Sequence, residues 1–373
     1  MPRPPFVLLA SAASAVASAG VAEARLRRRI ARTVAETRTQ VTAEIAAAAP
    51  SVEQLREQML VEILGERPEP PWRVPAPIVS DLIWARLTHE DIEAVETVVE
   101  GAAAELWEQS DETERRRLAL NYIAYYHQWD ALERTGVRHE MPPEEIHAMA
   151  RGVLAAGGDP FLADLVFEAV FVSGLTVPEG GTVLDFGASS GRVLRMIAAA
   201  RPDLRCLGCD PNADTIAWAT EHLEMAEFFV SPQAPPLDLP EASVDVAYAI
   251  SVWSHFDEGS ALAWLEELHR VVKPGGALVL TTHGFDCLAV QVQDGRISAQ
   301  TASRAAAAMI RDGHFFVDVF GEEGDWGVKD AGWGNAYLTL DWLQSAMDGR
   351  FATRLLWPGF LDRVQDVVVL ERR

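Results

Sequence analysis

Residues 182–194 read TVLDFGASSGRVL, and the chemistry they allow turns on how Ser189 is used. GASSG, Gly187 to Gly191, fits the G-x-S-x-G spacing of a hydrolase nucleophile elbow, in which a strained turn presents a serine to an acyl carbon. The same residues also fit a strand, a glycine turn and a helix start, the arrangement by which a Rossmann-type sheet holds a nucleoside. Asp185 stands at the tip of the first apolar run, and Asp210, 25 residues later in CLGCDPN, closes the second. A carboxylate there accepts both hydroxyls of a ribose. A nucleophile elbow leaves Asp210 without a purpose and usually follows several strands. The dinucleotide fingerprint is not met either, because Gly187, Ser189 and Arg192 stand where its three glycines fall. Ser189 is therefore read as a turn residue, with a serine hydrolase built on it, and a non-catalytic nucleoside-binding protein, as the alternatives.

These residues need a sheet to position them. Apolar runs at 182–186, 205–209, 227–231, 244–250 and 277–282, separated mostly by helical stretches, predict a parallel sheet covered on both faces. The runs at 351–357 and 365–370 are only seven residues apart, too short for a crossover helix, so one of the pair must run antiparallel. Before residue 173 the spacing is helical. Thr88 with Asp91 and Asp111 with Glu114 form capping boxes, Asp159 followed by Pro160 starts another helix, and Ser51 caps one that RPEPPWRVPAP (67–77) breaks. NYIAYYHQW (121–129) is read as packing between helices. Three parts follow: a basic Ala/Arg-rich N-terminal arm over 1–50, a helical domain over 51–172 that serves as a lid, and an α/β domain over 173–373 with a substrate-side insertion at 285–350.

Composition narrows the partners. The 373 residues carry a net charge of -23, which disfavours a phosphate-backbone partner and leaves a small molecule as the expected one. The first 50 residues depart from this, with seven arginines against three glutamates, a net of +4. They read as a frayed basic helix, with a targeting segment as the alternative. Three cysteines make no disulfide framework and suit a reducing cytoplasm. Cys206 and Cys209 lie three apart on one strand and so face opposite sides of it. No apolar run has the length of a membrane span. With no HExxH motif and no Cys/His cluster, no metal is expected.

VLDFGASSGR, CDPN, PLDLPEASVDVAYAISVWSHF and LEELHRVVKPGGALVLTTHG, in this order and spacing, resemble successive motifs of the class I S-adenosylmethionine-dependent methyltransferases. The likeness covers about Pro178 to Gly284 and extends more weakly through the last two strands. It implies a Rossmann-like seven-stranded sheet whose last strand is antiparallel, preceded here by an α-helical N-terminal domain, with S-adenosylmethionine as cofactor. Gly187, Ala188, Ser189 and Gly191 would border the methionine moiety, Asp185 would orient the loop or the cofactor amine, and Asp210 with Pro211 would hold the ribose. Many relatives place an Asp after the third strand to meet the adenine; Pro232-Gln233-Ala234 stands there instead, so Gln233 or backbone groups would serve. Asp245, opening the fourth strand, is read as structural.

Methyl transfer from a sulfonium is an in-line displacement, so alignment and exclusion of water are the main tasks, and a base is needed only for a poor nucleophile such as a hydroxyl. His255, after the fourth strand, and His283, at the tip of the fifth, are the candidate bases on this topology. Ser251 and Trp253 would shape the pocket near the methyl group, Ser251 on the cofactor side. Trp326, Trp333, Asn335 and Tyr337, in the glycine- and tryptophan-rich insertion, are the substrate-side candidates. The expected function is methylation of a small molecule, with a hydroxyl of a sugar or secondary metabolite preferred.

Overall fold

The computed structural model describes residues 78–143, 159–321, 328, 332–361 and 364–373. The N-terminal arm, the Ser51 helix and Trp326 lie outside them.

Six helices are described before the sheet, and three of them begin at a side-chain cap that the sequence supplies. The six are α1 (Val79–Trp84), α2 (His89–Val98), α3 (Ala102–Gln109), α4 (Glu112–Tyr125), α5 (Trp129–Thr135) and α6 (Pro160–Val172). Thr88 and Asp111 cap α2 and α4 through complete capping boxes, and the Asp159 side chain accepts from Leu162 N to start α6. Within the aromatic segment, Ile123 and Ala124 are buried as expected, but Tyr125 and Trp129 are each 54% exposed. The residues that close a helix-helix gap are thus the aliphatic ones, and the two rings stand outside it.

The second half alternates as the apolar runs predict: β1 (Thr182–Phe186), α7 (Leu194–Ala200), β2 (Arg205–Asp210), α8 (Ala213–His222), β3 (Glu227–Val230), β4 (Val244–Ala249), α9 (Glu258–Val271) and β5 (Val272–Thr282). Then come α10 (Phe285–Gln293), α11 (Ala299–Asp312), β6 (His314–Val317), β7 (Asn335–Leu338), α12 (Leu340–Met347), β8 (Phe351–Leu361) and β9 (Gln365–Arg372). Seven strands form one sheet in the order β3-β2-β1-β4-β5-β9-β8. β1 to β5 are parallel, and β9 pairs antiparallel with both β5 and β8. Strand order reverses between β1 and β4, and the crevice at such a reversal lies beyond the carboxyl ends of the strands.

Period-two alternation divides the core. Val183, Cys206, Val246 and Val279 face one apolar cluster shared with α1, α6 and α7, whereas Leu184, Cys209, Ala247 and Leu278 face another shared with α9 and α12. The two cysteines thus sit on opposite faces, and burial raises both thiols far above their usual range. Asp245 works at the far end of the strands, where its carboxylate accepts from Thr182 N and from Lys273 Nζ, each at 2.8 Å. The Lys273–Gly276 turn is held as a bulge within β5, between the pairs Val244–Val272 and Val246–Ala277.

The insertion is more regular than the sequence suggests. It folds as α10, α11, α12 and a two-stranded antiparallel ribbon of β6 and β7. The ribbon lies beyond the carboxyl ends of β4 and β5, where Ala336 N donates to Ser254 O, Gly334 N to His255 O and Leu338 N to His283 O.

Candidate functional site

The carboxyl ends of β1 to β4 open into a cavity of about 640 Å³, a volume typical of small-molecule sites. On its floor the glycine turn folds back on β2, with Gly187 N and Ala188 N both donating to Cys209 O at 2.9 Å. Ser189 N donates to Oδ2 of Asp210 at 2.9 Å, and Asn212 N donates to Oδ1 at 2.9 Å. Gly191 N closes the turn onto Ala188 O at 2.8 Å. The loop therefore spends these four N–H groups internally and offers none of them to a phosphate.

That geometry fits an adenosyl ligand better than a dinucleotide. Each oxygen of Asp210 accepts one backbone N–H and keeps a further lone pair, so a fixed carboxylate can receive the two hydroxyls of a ribose. Burial raises the pKa of Asp210, and the two N–H groups oppose that rise. Asp185 is 4% exposed, and burial lifts its carboxyl to about 7, with nearby Asp210 adding to the rise and Tyr248 and Arg192 opposing it. Two acids on the floor suit a sulfonium and an ammonium and repel phosphate. Ser189 Oγ is buried without a partner among the described residues, one donor left for a ligand. Among the described residues no histidine is bonded to that hydroxyl, the partner a nucleophile elbow requires.

Asp185, Gly187, Ala188, Ser189, Asp210, Pro211, Gln233 and Ser251 all line the cavity. Gly191 does not. It turns the chain at φ +71°, and a Cβ there would lie 2.7 Å from Leu223 Cδ1 and 2.9 Å from Phe228 Cζ. Ser251 also adopts a left-handed φ of 58°, with its N–H on Thr281 Oγ1 at 2.7 Å and its hydroxyl on the Gln365 amide.

Of the substrate-side candidates among the described residues, Trp333 alone lies on the wall. Trp253 is wholly buried between the rings of Phe186 and Phe256, with centroids 6.0 and 5.5 Å away, and belongs to the core. Tyr337 is buried and donates to Gln291 at 2.5 Å, and Asn335 pairs with Val317 in the ribbon. The two histidines are anchors for the ribbon and do not line the cavity. His255 Nδ1 meets Gly334 O at 2.7 Å and its ring stacks on Trp333 at 4.7 Å; His283 Nδ1 meets Ala336 O at 3.2 Å. Burial, with His255 nearby, lowers His283 to about 4. The topology places both near the strand tips, but the ribbon that claims their side chains comes from 53 residues or more further along.

Phe256, on the wall, ends the SVWSHF motif after β4, but other parts of the wall come from segments that carry no motif. Phe161 and Leu162 come from α6, and Leu361, Val364 and Gln365 come from the β8–β9 turn. The Asp159 cap marks the start of α6 in the sequence; nothing there marks it as a wall. Among the described residues no group of three or more His, Cys, Asp or Glu side chains could hold a metal ion, and no helix is long and apolar enough to cross a membrane.

Residues 183–276 match the family model described as a methyltransferase domain. Among curated proteins, an uncharacterised 37.1 kDa protein carried by a transposon of Streptomyces fradiae is 29% identical over 152 residues, 39% of this chain and 43% of that protein. The 2-methyl-6-phytyl-1,4-hydroquinone methyltransferase of a Synechocystis species is 33% identical over 107 residues, 28% of this chain and 33% of that enzyme. The matches thus span less than half the length of either curated relative. A solved S-adenosylmethionine-dependent methyltransferase from Methanosarcina mazei is similar at 19% identity and a TM-score of 0.39, covering 52% of this chain and 93% of that one. The matched motifs lie on β1, β2, β4 and β5 of a sheet ordered β3-β2-β1-β4-β5-β9-β8, and together they show that this chain carries a class I S-adenosylmethionine-dependent methyltransferase fold.

Proposed function

We propose that the protein transfers a methyl group from S-adenosylmethionine to a small-molecule acceptor. The observation that carries this reading is the Asp210 carboxylate, pinned by Ser189 N and Asn212 N beside a glycine turn that spends the N–H groups of Gly187, Ala188, Ser189 and Gly191 internally. When bound, S-adenosylmethionine supplies an electrophilic methyl on sulfur. The chain's own residues would then bind and align. Asp210 receives the ribose hydroxyls, Asp185 faces the amine, Ser231 to Gln233 border the adenine, and Ser251 lies between the cofactor and the acceptor. The wall of Phe256, Trp333, Leu361 and Val364 excludes water from the displacement.

The acceptor we favour carries a hydroxyl on a largely apolar body. Support comes from that aromatic and aliphatic wall, and from one relative whose name specifies a hydroquinone. No proton-transfer step is assigned to His255 or His283, since neither lines the cavity and a histidine lowered to about 4 is mismatched to a hydroxyl near neutrality. An acidic hydroxyl, such as a phenol, therefore fits better than the alcohol of a sugar. The net charge of -23 favours such an acceptor over nucleic acid. Three buried, unpaired cysteines support residence in a reducing cytoplasm. The helices over 79–172 would form one wall, through Phe161 and Leu162.

The test pairs binding with turnover. S-adenosylhomocysteine should raise the melting temperature, and a panel of phenols and sugar alcohols incubated with S-adenosylmethionine should yield a product one methyl heavier among the phenols. No thermal shift at millimolar ligand overturns the cofactor assignment. Methylation of the sugars alone overturns the acceptor preference.

A further inference from the structure

Arg195, the second residue of α7, is completely buried, yet no carboxylate among the described residues is hydrogen-bonded to it. Its guanidinium donates instead to four main-chain carbonyls. Nε reaches Gly191 O at 3.4 Å and Nη2 reaches Ser190 O at 3.1 Å, both in the glycine turn. Nη1 reaches Arg138 O at 3.1 Å and Glu140 O at 2.9 Å, in the extended segment after α5. The guanidinium carbon also sits 5.6 Å from the ring centroid of Trp218 on α8, the helix that starts just after Asp210. Burying a charge is expensive unless every donor finds an acceptor, so the fold accepts this cost only where a forked donor must bridge separate pieces of chain.

The bridge joins the cofactor turn to a distant part of the sequence. Ser190 and Gly191 follow Ser189, whose N–H holds Asp210, so the plane of the turn sets where the carboxylate stands. A second link nearby runs from Asp159 N to Arg192 O at 3.1 Å. We infer that Arg195 is a positioning residue that locks the glycine turn to the 138–140 segment, so that ordering of this segment and cofactor affinity rise and fall together. The inference rests on the cofactor reading given above for its second half. Its first half, the mechanical coupling of two segments, stands on the hydrogen bonds alone.

Arg195→Lys keeps the charge and most of the volume but gathers its donors on one atom, which cannot span carbonyls of both segments. In the unliganded protein, amide exchange of 138–141 and of 189–195 should quicken together, by about tenfold or more, in Arg195→Lys, whereas Ile123→Ala, in the separate cluster around Val95 and Leu132, should leave both unchanged. S-adenosylhomocysteine should bind Arg195→Lys at least about tenfold more weakly than it binds Ile123→Ala, with Arg195→Gln no better than Arg195→Lys. Quickening of one segment without the other, or equal affinity in Arg195→Lys and wild type, overturns the inference. Failure of the wild type to bind S-adenosylhomocysteine overturns the cofactor reading, and the exchange comparison then decides the coupling alone.

Discussion

The backbone N–H of Ser189 donates to Oδ2 of Asp210 at 2.9 Å, so the turn after the first strand and the acid at the tip of the second form one unit. Ser189 sits at φ 48°, an uncommon conformation for a residue with a side chain, and the bond to Asp210 helps to hold it there. The carboxylate thus both shapes the loop and remains available to a ligand. Asp210→Ala should remove both functions, weakening S-adenosylhomocysteine by roughly 100-fold, as expected for two hydrogen bonds to a charged group. Isothermal titration checks this; wild-type affinity in Asp210→Ala would place the ribose elsewhere.

Asp185 should make ligand affinity depend on pH. Its folded pKa of about 7 lies above the ordinary 3.8, so the folded protein retains a proton that the unfolded chain releases. The stability this group contributes is present at low pH and is lost as pH rises from about 4 to 7, by at most ~4 kcal/mol. Asp185→Asn should therefore melt higher than wild type at pH 8. S-adenosylhomocysteine affinity should climb through pH 7 in the wild type, as the carboxylate ionises to face the amine, and stay low and flat in Asp185→Asn. A rising curve in the variant would assign the titration to another group.

His283 slopes the other way. Its folded pKa of about 4 lies below 6.5, so the folded state refuses a proton that the unfolded chain takes up. Stability from this group is present above 6.5 and is lost as pH falls toward 4, by at most ~3 kcal/mol. His283→Ala should lose about 2 kcal/mol at pH 7 through the buried volume and the bond to Ala336 O, while keeping turnover on any acceptor that the wild type methylates. Denaturant melts together with single-turnover rates decide it. A rate that falls a thousandfold with unchanged stability would return His283 to the chemistry.

The sheet was legible because its signals are local. Short apolar runs mark β1, β2 and β4 to within a residue, and Thr88, Asp111 and Asp159 cap the helices that follow them. The cofactor end was legible for a related reason: Asp185, the turn and Asp210 lie within 25 residues along two adjacent strands. The acceptor end was not. Leu361, Val364, Phe161 and Leu162 reach it from parts of the chain that no spacing connects. The β6–β7 ribbon escaped notice because its four-residue strands are distant in sequence and flanked by glycine and tryptophan. Its pairing with residues 254–257 ties the His255 side chain to Gly334 O, away from the cavity.

Gly191 gives a sharper test of the turn than Gly187. Gly191→Ala must adopt a left-handed φ and push a methyl against Leu223 and the Phe228 ring, for a combined cost of roughly 2–4 kcal/mol. Because Leu223 and Phe228 sit under the turn, the strain should also shift Ser189 and weaken S-adenosylhomocysteine. A variant that is destabilised yet binds normally would show that the turn moves as a rigid piece. Chemical denaturation and titration on one preparation separate the two outcomes.

Trp333 should act on the acceptor alone. Its ring lines the cavity, stacked on His255 at 4.7 Å and edge-on to Phe256 at 5.4 Å, while its backbone bridges to Phe256. None of the groups placed around Asp210 touches it through a hydrogen bond. Trp333→Ala should therefore raise the KM of the acceptor by roughly 10- to 100-fold, the range expected when a large aromatic contact is removed from an apolar site. The affinity for S-adenosylhomocysteine should stay within about twofold of wild type, since uniform binding at one end of a site leaves the other unchanged. Loss of cofactor affinity with an unaltered acceptor KM would put Trp333 at the adenosyl end and reverse the direction in which the two ligands lie along the cavity.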